Sequence, residues 1–171
     1  MLIGESFVGE GADAAHVNTV LGRRDGAVGV AWATALATPR PGNAAFVAVV
    51  RPGVPAKPLT LFVSKASVAG DEHAVLTWGA AQAGVACGVA DAVADGTVTE
   101  TEADELLLIA AVWVNPAATD AAKVYANNRA ATAAALRAGV AGSPGLAEVL
   151  AARDHPVNPF FDPAVAEPAT P

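Results

Sequence analysis

The sequence predicts an α/β fold, a two-layer sandwich in which helices pack on one side of a mixed β-sheet. The chain has 171 residues, which is the size of one domain. Hydrophobic residues make up 53% of it and charged residues 16%, a balance that excludes a disordered chain. After two initial strands, segments with strand character alternate with segments in which apolar residues recur at helical spacing.

The N-terminal half is predicted to begin with a hairpin. Residues 2–9 and 15–21 have strand character and are joined by a loose connection that begins at Gly9. Residues 27–38 show helical spacing that stops before Pro39, so we predict a helix there. The other predicted elements of this half are a buried strand at residues 45–50, a stiff proline-rich loop at 51–58 and a strand at 59–68.

The C-terminal half is predicted to contain two long helices around one central strand. The first helix covers residues 71–94, with Asp71 as its N-cap and Gly96 after its end. It contains three glycines, which cost about 1 kcal/mol each relative to Ala and indicate that something packs very closely on it; they are Gly79, Gly84 and Gly88. The later predicted elements are a short capping-box turn at 99–102, a strand at 105–114 buried on both faces, a helix at 120–138 ended by Gly139 and a short helix at 145–153.

We divide the chain into one α/β domain at residues 1–143 and a proline-rich extension at 144–171.

The net charge of −7 argues against broad contact with nucleic-acid phosphates. The single cysteine, Cys87, excludes an intrachain disulfide and fits a reducing, cytoplasmic compartment. The longest apolar run, residues 106–114, is far shorter than the roughly 20 residues of a membrane-spanning helix, so we expect no membrane partner.

Two pairs of polar residues interrupt predicted strands. His16 and Asn18 are two residues apart, so their side chains share one face, where the histidine either has no task or is a general acid or base beside an amide. Lys65 and Ser67 have the same spacing in an otherwise apolar strand. An isolated buried ammonium is costly, so Lys65 either faces water on an edge strand or lines a polar pocket that holds an oxygen-rich ligand.

A third candidate, Gln82, is a polar residue in an otherwise apolar helical segment. A buried amide needs hydrogen-bond partners, which here are either a loop of the protein or a ligand. The remaining histidines, His73 and His155, have no Cys or Glu at metal-ligand spacing, so we predict no metal site.

Taken together, five segments resemble the formaldehyde-activating enzyme family: GESFVGEGADAAHV, DGAVGVAWATAL, VAVVRPGVPAKPLTLFVSKASV, GAAQAGVACGVADAVADG and EADELLLIAAVWVNP. The resemblance extends from about Gly4 to Pro144. It implies subunits with a fold of the ribosomal protein S5 domain 2 type, assembled as a homopentamer. It also implies a carbon–nitrogen lyase of one-carbon metabolism and formaldehyde detoxification, which condenses formaldehyde with tetrahydromethanopterin to methylene-tetrahydromethanopterin and water.

The resemblance also assigns site residues. The catalytic histidine falls on His16, expected to act as an imidazolium general acid, and the pterin contacts fall on Asn18, Val47, Lys65, Ser67 and Gln82. The pterin, tetrahydromethanopterin or tetrahydrofolate, is then a co-substrate in a cleft between neighbouring subunits, and no covalently bound cofactor is expected. Asn18 stands where the family usually has Asp, and Asn115 stands where it usually has His.

These two departures keep two other functions open. One is a non-catalytic protein that binds a reduced pterin or another amine and senses formaldehyde. The other is a related enzyme that acts on a different amine or carbonyl compound.

Overall fold

The computed structural model describes residues 1–40, 44–158 and 161–163. Its strands are β1 (Leu2–Val8), β2 (Ala15–Arg23), β3 (Ala45–Val47), β4 (Val49–Arg51), β5 (Val54–Pro55), β6 (Leu59–Ser64) and β7 (Leu106–Trp113). Its helices are α1 (Ala27–Ala37), α2 (Asp71–Val75), α3 (Gln82–Ala94), α4 (Glu100–Glu105), α5 (Ala121–Ala141) and α6 (Leu146–Ala152). A 3₁₀ turn, Gly11–Asp13, joins β1 to β2, and a π-helical segment, Leu76–Ala81, joins α2 to α3.

Five strands form the main sheet in the order β1-β2-β7-β6-β3. The β1–β2, β2–β7 and β3–β6 pairs are antiparallel, whereas β6 and β7 run parallel. The sheet is therefore mixed, and the chain is the α/β sandwich that the sequence predicts. The predicted N-terminal hairpin is confirmed as the β1–β2 pair.

Helices α3 and α5 cover one face of this sheet. Alternate residues of β2, from Ala15 through Val17 to Leu21, point into a core that also contains Val89 of α3 and Leu136 of α5. The other residues of β2 point to the opposite face, since side chains alternate along a strand. There the short helix α1 covers one end of the sheet, where a Cβ on Gly22 would lie 2.6 Å from the Val28 side chain.

The glycines of the long helix fit its contact with α5. A Cβ on Gly84 would lie 2.5 Å from the backbone oxygen of Tyr125, and one on Gly88 would lie 2.4 Å from that of Arg129. Both glycines therefore let the two helix backbones approach each other within one chain. Gly79 differs, because a Cβ there would meet nothing within 4 Å.

Three predicted boundaries on the N-terminal side of the long helix are wrong. Strand β6 stops at Ser64 instead of continuing to residue 68, because the Ser64 hydroxyl donates to the carbonyl of Ala66 and the chain bends there. The single buried strand at 45–50 is two partly exposed strands, β3 and β4, separated at Ala48. The stiff loop at 51–58 contains β5, which pairs with β4 as a small hairpin.

Two predicted helix ends also differ. Asp71 is the first residue of α2 and not its N-cap, a position taken by Gly70 with φ +119°. Helix α5 continues through Gly139 to Ala141, and its C-cap is Gly142, whose left-handed backbone, φ +65°, favours glycine. Gly139 is retained inside the helix because a Cβ there would lie 3.1 Å from the backbone of β1 at Gly4.

No helix among the described residues is long and apolar enough to cross a membrane. Helix α6 is the predicted short helix at 145–153, and it lies in the predicted extension. Much of that extension, residues 159–160 and 164–171, lies outside the described part of the chain. The domain boundary at residue 143 stays a prediction.

Candidate active site

A cluster of polar side chains lies on the face of the sheet opposite α3 and α5. His16 and Asn18 share this face because they alternate with the core residues of β2, and both are partly buried. The prediction that the two side chains stand on one face therefore agrees with the structure. Lys65 reaches the same face from the bend after β6, and Glu5 reaches it from β1.

The four side chains form one continuous chain of contacts. Glu5 Oε1 lies 2.9 Å from His16 Nε2, and Lys65 Nζ lies 3.5 Å from His16 Nδ1. Lys65 Nζ also donates a hydrogen bond of 2.6 Å to Asn18 Oδ1. The imidazole therefore has a carboxylate on one nitrogen and an ammonium near the other.

This arrangement favours one tautomer of the neutral His16 ring. An ammonium has only donors, so the nitrogen beside it, Nδ1, must be the one with a lone pair. A carboxylate accepts hydrogen bonds, so Nε2 carries the proton and donates to Glu5. In the neutral ring this places the proton on Nε2 and leaves Nδ1 unprotonated on the side of Lys65.

The electrostatics of the cluster agree with a neutral ring. Burial lowers the pKa of His16 below its usual value, the charge of Lys65 lowers it further, and the Glu5 carboxylate opposes both effects. Burial also lowers the pKa of the Lys65 ammonium, again against the charge of Glu5. The expected imidazolium acid is therefore a minor species of the resting protein near neutral pH, and Glu5 is the group that favours it.

A cavity of about 610 Å³ opens at the end of the sheet next to the strand neighbours of His16, although His16, Asn18 and Lys65 are not among the described residues that line it. Two of its walls, Phe7 and Trp113, are the direct cross-strand neighbours of His16 on β1 and β7. The rings of Phe7 and His16 lie 5.8 Å apart between centroids. The cavity is lined by Phe7, Gly9, Glu10, Gly11, Trp113, Asn115, Val157 and Asn158. It has the size of a small-molecule site.

The other predicted pterin contacts lie elsewhere in the chain. Val47 is on β3, three strands from His16 in the sheet, which corresponds to about 14 Å. Ser67 is exposed in the loop after β6, so the argument that it shares a strand face with Lys65 is wrong. Gln82 is 8% exposed at the start of α3, and its Oε1 accepts a 2.5 Å hydrogen bond from the backbone of Val49.

The contact of Gln82 is the structural alternative that the sequence left open, a hydrogen bond to a loop of the protein. The loop in question is the β4–β5 hairpin, so Gln82 ties this hairpin to α3. Within the described chain Gln82 has no hydrogen bond to His16 or Lys65. A single chain therefore unites His16, Asn18 and Lys65, but it does not bring Gln82 and Val47 to them.

Sequence reasoning missed Glu5. The signal is present, because Ile3, Glu5 and Phe7 alternate with Gly4 and Ser6 and so share one face of the first predicted strand. The loose connection between the first two strands leaves their register open, however. The pairing of Glu5 with Asn18 and of Phe7 with His16 is a property of the folded hairpin.

The remaining histidine of the folded core is structural. His73 is 3% exposed, its Nδ1 accepts from the backbone of Ala69, and its Nε2 donates to the carbonyl of Val114. Among residues 1–40, 44–158 and 161–163, no group of three His, Cys, Asp or Glu side chains is arranged to hold a metal ion.

The fold and this site define a small α/β protein with a histidine-centred polar cluster on an open sheet face. A family model described as formaldehyde-activating enzyme matches residues 3–161. That range covers nearly the whole chain, and the chain belongs to the formaldehyde-activating enzyme family. This membership confirms the predicted family and the prediction that the protein is an enzyme of the lyase class.

Curated relatives support the assignment. A 5,6,7,8-tetrahydromethanopterin hydro-lyase of Methanosarcina barkeri is 39% identical over 93% of this chain and 89% of its own length. A bifunctional enzyme Fae/Hps of Methanococcoides burtonii is 40% identical over 91% of this chain, and one of Archaeoglobus fulgidus is 38% identical over 92%. The chain spans only 39% and 40% of those two larger proteins.

Proposed function

We propose that this protein condenses formaldehyde with a reduced pterin of the tetrahydromethanopterin type, giving the methylene-pterin and water. The observation that carries the proposal is the contact of His16 with both Glu5 and Lys65 beside a cavity of ligand size. Family membership and the hydro-lyase named among the relatives support the same reaction. The pterin is a co-substrate in this proposal, not a resident cofactor.

The reaction needs one proton delivered and returned. Formaldehyde adds to the first amine of the pterin and forms a carbinolamine. His16 then donates a proton to its hydroxyl oxygen, the carbon–oxygen bond breaks, and water leaves behind an iminium ion. The second amine adds to the iminium carbon, and the proton that this amine loses returns to His16. A positioned acid typically contributes 10²–10⁴-fold to such a step.

The polar neighbours of His16 are suited to hold the pterin next to this acid. Lys65 and Asn18 present a donor and an amide on the same face as the imidazole. Holding both reacting amines against one acid makes the bimolecular step effectively unimolecular, which lowers the entropic part of the activation barrier. Ser67 lies two residues after Lys65 and is exposed, which leaves its hydroxyl accessible to a ligand.

We place the complete site between neighbouring subunits of a homopentamer. The support is the separation, within one chain, of Val47 and Gln82 from His16. If these residues contact the same pterin, the neighbouring copy brings them to it. A cytoplasmic location, which the lone Cys87 supports, stays part of the proposal.

The test mixes formaldehyde with tetrahydromethanopterin, and separately with tetrahydrofolate, in the presence and absence of protein. The absorbance of the methylene adduct reports the rate. We expect His16→Ala to bind pterin nearly as wild type does but to lose about 10²-fold or more of the acceleration. His155→Ala is the matched control, because His155 is exposed in the C-terminal segment and should keep the wild-type rate.

The same assay decides between the alternatives. Pterin binding by the wild type without acceleration would favour a non-catalytic binding protein. Neither binding nor acceleration with either pterin would favour an enzyme for a different amine or carbonyl compound. Full acceleration by His16→Ala would remove His16 as the acid.

A further inference from the structure

Glu5 is held against the imidazole by the geometry of the N-terminal hairpin. In the β1–β2 register Glu5 lies opposite Asn18, and Phe7 lies opposite His16. Glu5 is therefore the diagonal neighbour of His16 on the same face, within reach of a long side chain. Across this diagonal, the Glu5 carboxylate contacts His16 Nε2 at 2.9 Å.

Strand β1 has a fixed position behind this contact. A Cβ on Gly4 would lie 1.8 Å from the backbone oxygen of Ala135, so β1 at Gly4 lies directly against α5. The residue that follows Gly4 points the opposite way, to the open face. Glu5 thus extends from a backbone supported by a 21-residue helix.

We propose that Glu5 is the positioning residue of the site, holding His16 through Nε2 and leaving Nδ1, on the side of Lys65, as the nitrogen that transfers the proton. The proposal rests on the proposed function and adds a residue and an atom to it. A carboxylate that orients a histidine through one nitrogen, while the other nitrogen moves the proton, also stabilises the imidazolium form.

The arrangement allows Nδ1 to exchange its partner. Lys65 has a second acceptor, Asn18 Oδ1 at 2.6 Å, which is much closer than Nδ1 at 3.5 Å. Lys65 therefore keeps a hydrogen bond when it moves away from a protonated Nδ1, whose fixed N–H bond then points to the carbinolamine oxygen. In this proposal Nε2 carries its proton in both protonation states and donates it to the Glu5 carboxylate.

The charged groups that face His16 are few. Glu5 approaches from β1 and Lys65 from the bend after β6, while the cross-strand neighbour on β7 is the uncharged Trp113. The charge of Glu5 acts to raise the pKa of both His16 and Lys65. Removing that charge removes an electrostatic contribution that favours the acid form of His16.

A merely structural ion pair makes a different prediction. The Glu5 side chain is 59% exposed, and exposed pairs contribute little to folding. Replacing the carboxylate by an isosteric amide should therefore leave the thermal unfolding temperature near the wild-type value. A fall in kcat/KM at unchanged stability is the result that a merely structural pair would not give.

The experiment compares the full-length wild type with Glu5→Gln and with the control Glu72→Gln. Glu72 is exposed on α2, and its substitution removes the same unit of charge away from His16. Long-range proton–nitrogen NMR reads which ring nitrogen of His16 carries the proton, and a pH titration reads its pKa. The methylene-adduct assay then measures kcat/KM against pH.

We expect the wild type to show the Nε2–H tautomer. Glu5→Gln should lower the pKa of His16, lower the stimulated rate near neutral pH about tenfold and move the alkaline limb of kcat/KM to lower pH. Glu72→Gln should leave all three unchanged. Glu5→Asp, which keeps the carboxylate, should recover part of the rate.

The proposal is overturned if the wild type carries its proton on Nδ1, or if Glu5→Gln titrates and reacts as Glu72→Gln does. A wild type that accelerates the reaction with neither pterin overturns the proposed function and the proton-transfer role with it. The tautomer and the titration of His16 then decide the positioning role by themselves, because neither measurement requires turnover.

Discussion

The imidazole of His16 lies between an acidic and a basic side chain, and its chemistry depends on the balance between them. Lys65 and burial favour the neutral ring, whereas Glu5 favours the imidazolium. An acid with a lowered pKa is scarce at neutral pH but gives up its proton readily once it is formed. Asn18 influences this balance indirectly, since its Oδ1 holds the Lys65 ammonium at 2.6 Å.

The variant Asn18→Asp tests this indirect influence. A carboxylate at that position would pair with Lys65 and raise its pKa, and the added negative charge would also raise the pKa of His16. If the carboxylate at position 18 accepts a hydrogen bond from the pterin, we expect the pterin to bind about tenfold more tightly. The reason is that hydrogen bonds to charged groups are stronger than those between neutral ones. Calorimetric titration gives the affinity and NMR gives the pKa of His16.

The double variant Glu5→Gln with Asn18→Asp is the internal control, because it restores the net charge of the cluster. Its His16 pKa should lie above that of Glu5→Gln alone. A His16 pKa that is insensitive to Asn18→Asp in both backgrounds would show that a charge at position 18 does not influence His16.

At the scale of elements, the packing of α3 on α5 supports the hairpin that presents His16. Helix α5 contacts β1, β2 and α3, so it joins the long helix to the strands of the site. Helices α3 and α5 can approach each other closely because Gly84 and Gly88 of α3 have no Cβ that would meet the backbone of α5. Arg129 of α5 also pairs with Asp91 of α3 at 2.6 Å.

The variant Gly88→Ala should destabilise the protein by about 1–3 kcal/mol, since its Cβ would lie 2.4 Å from a backbone oxygen and force the helices apart. Denaturant unfolding measures the change in the free energy of unfolding. Gly79→Ala is the matched control, because it adds the same methyl group where nothing lies within 4 Å.

We expect Gly79→Ala to be neutral or to stabilise by up to about 1 kcal/mol through helix propensity. A neutral Gly88→Ala would contradict the packing explanation. Equal destabilisation by the two substitutions would indicate that Gly79 faces a contact outside the single chain, since Gly88 already meets α5 within it.

At the scale of the whole molecule, the isolated chain exposes apolar side chains on helices away from the site. Val30 on α1 is 70% exposed, Val75 on α2 is 68% exposed, and Trp78 in the π-helical segment is 51% exposed. Single exposed apolar residues are ordinary on a protein surface and by themselves do not mark an interface. The proposed assembly rests instead on the separation of Val47 and Gln82 from His16.

Light scattering at micromolar concentration tests the assembly directly. We expect a particle of five times the 16.9 kDa mass of one chain. A monomer would contradict a pterin site shared between neighbouring subunits. In that case His16, Lys65 and Asn18 would form the site without Gln82 and Val47.

The sequence by itself determined the fold class, most of the elements and part of the site. Period-two alternation places His16 and Asn18 on one face of β2, and glycines in the long helix predict a close neighbour, because both depend only on local geometry. The tertiary structure decided the partners. The strand register brings Glu5 to His16, and the bend at Ser64 brings Lys65 to Asn18. The backbone N–H of Val49 donates a hydrogen bond to Gln82. These contacts join residues far apart in the chain, and the spacing of residues along a sequence carries no information about the register of the strands that join them.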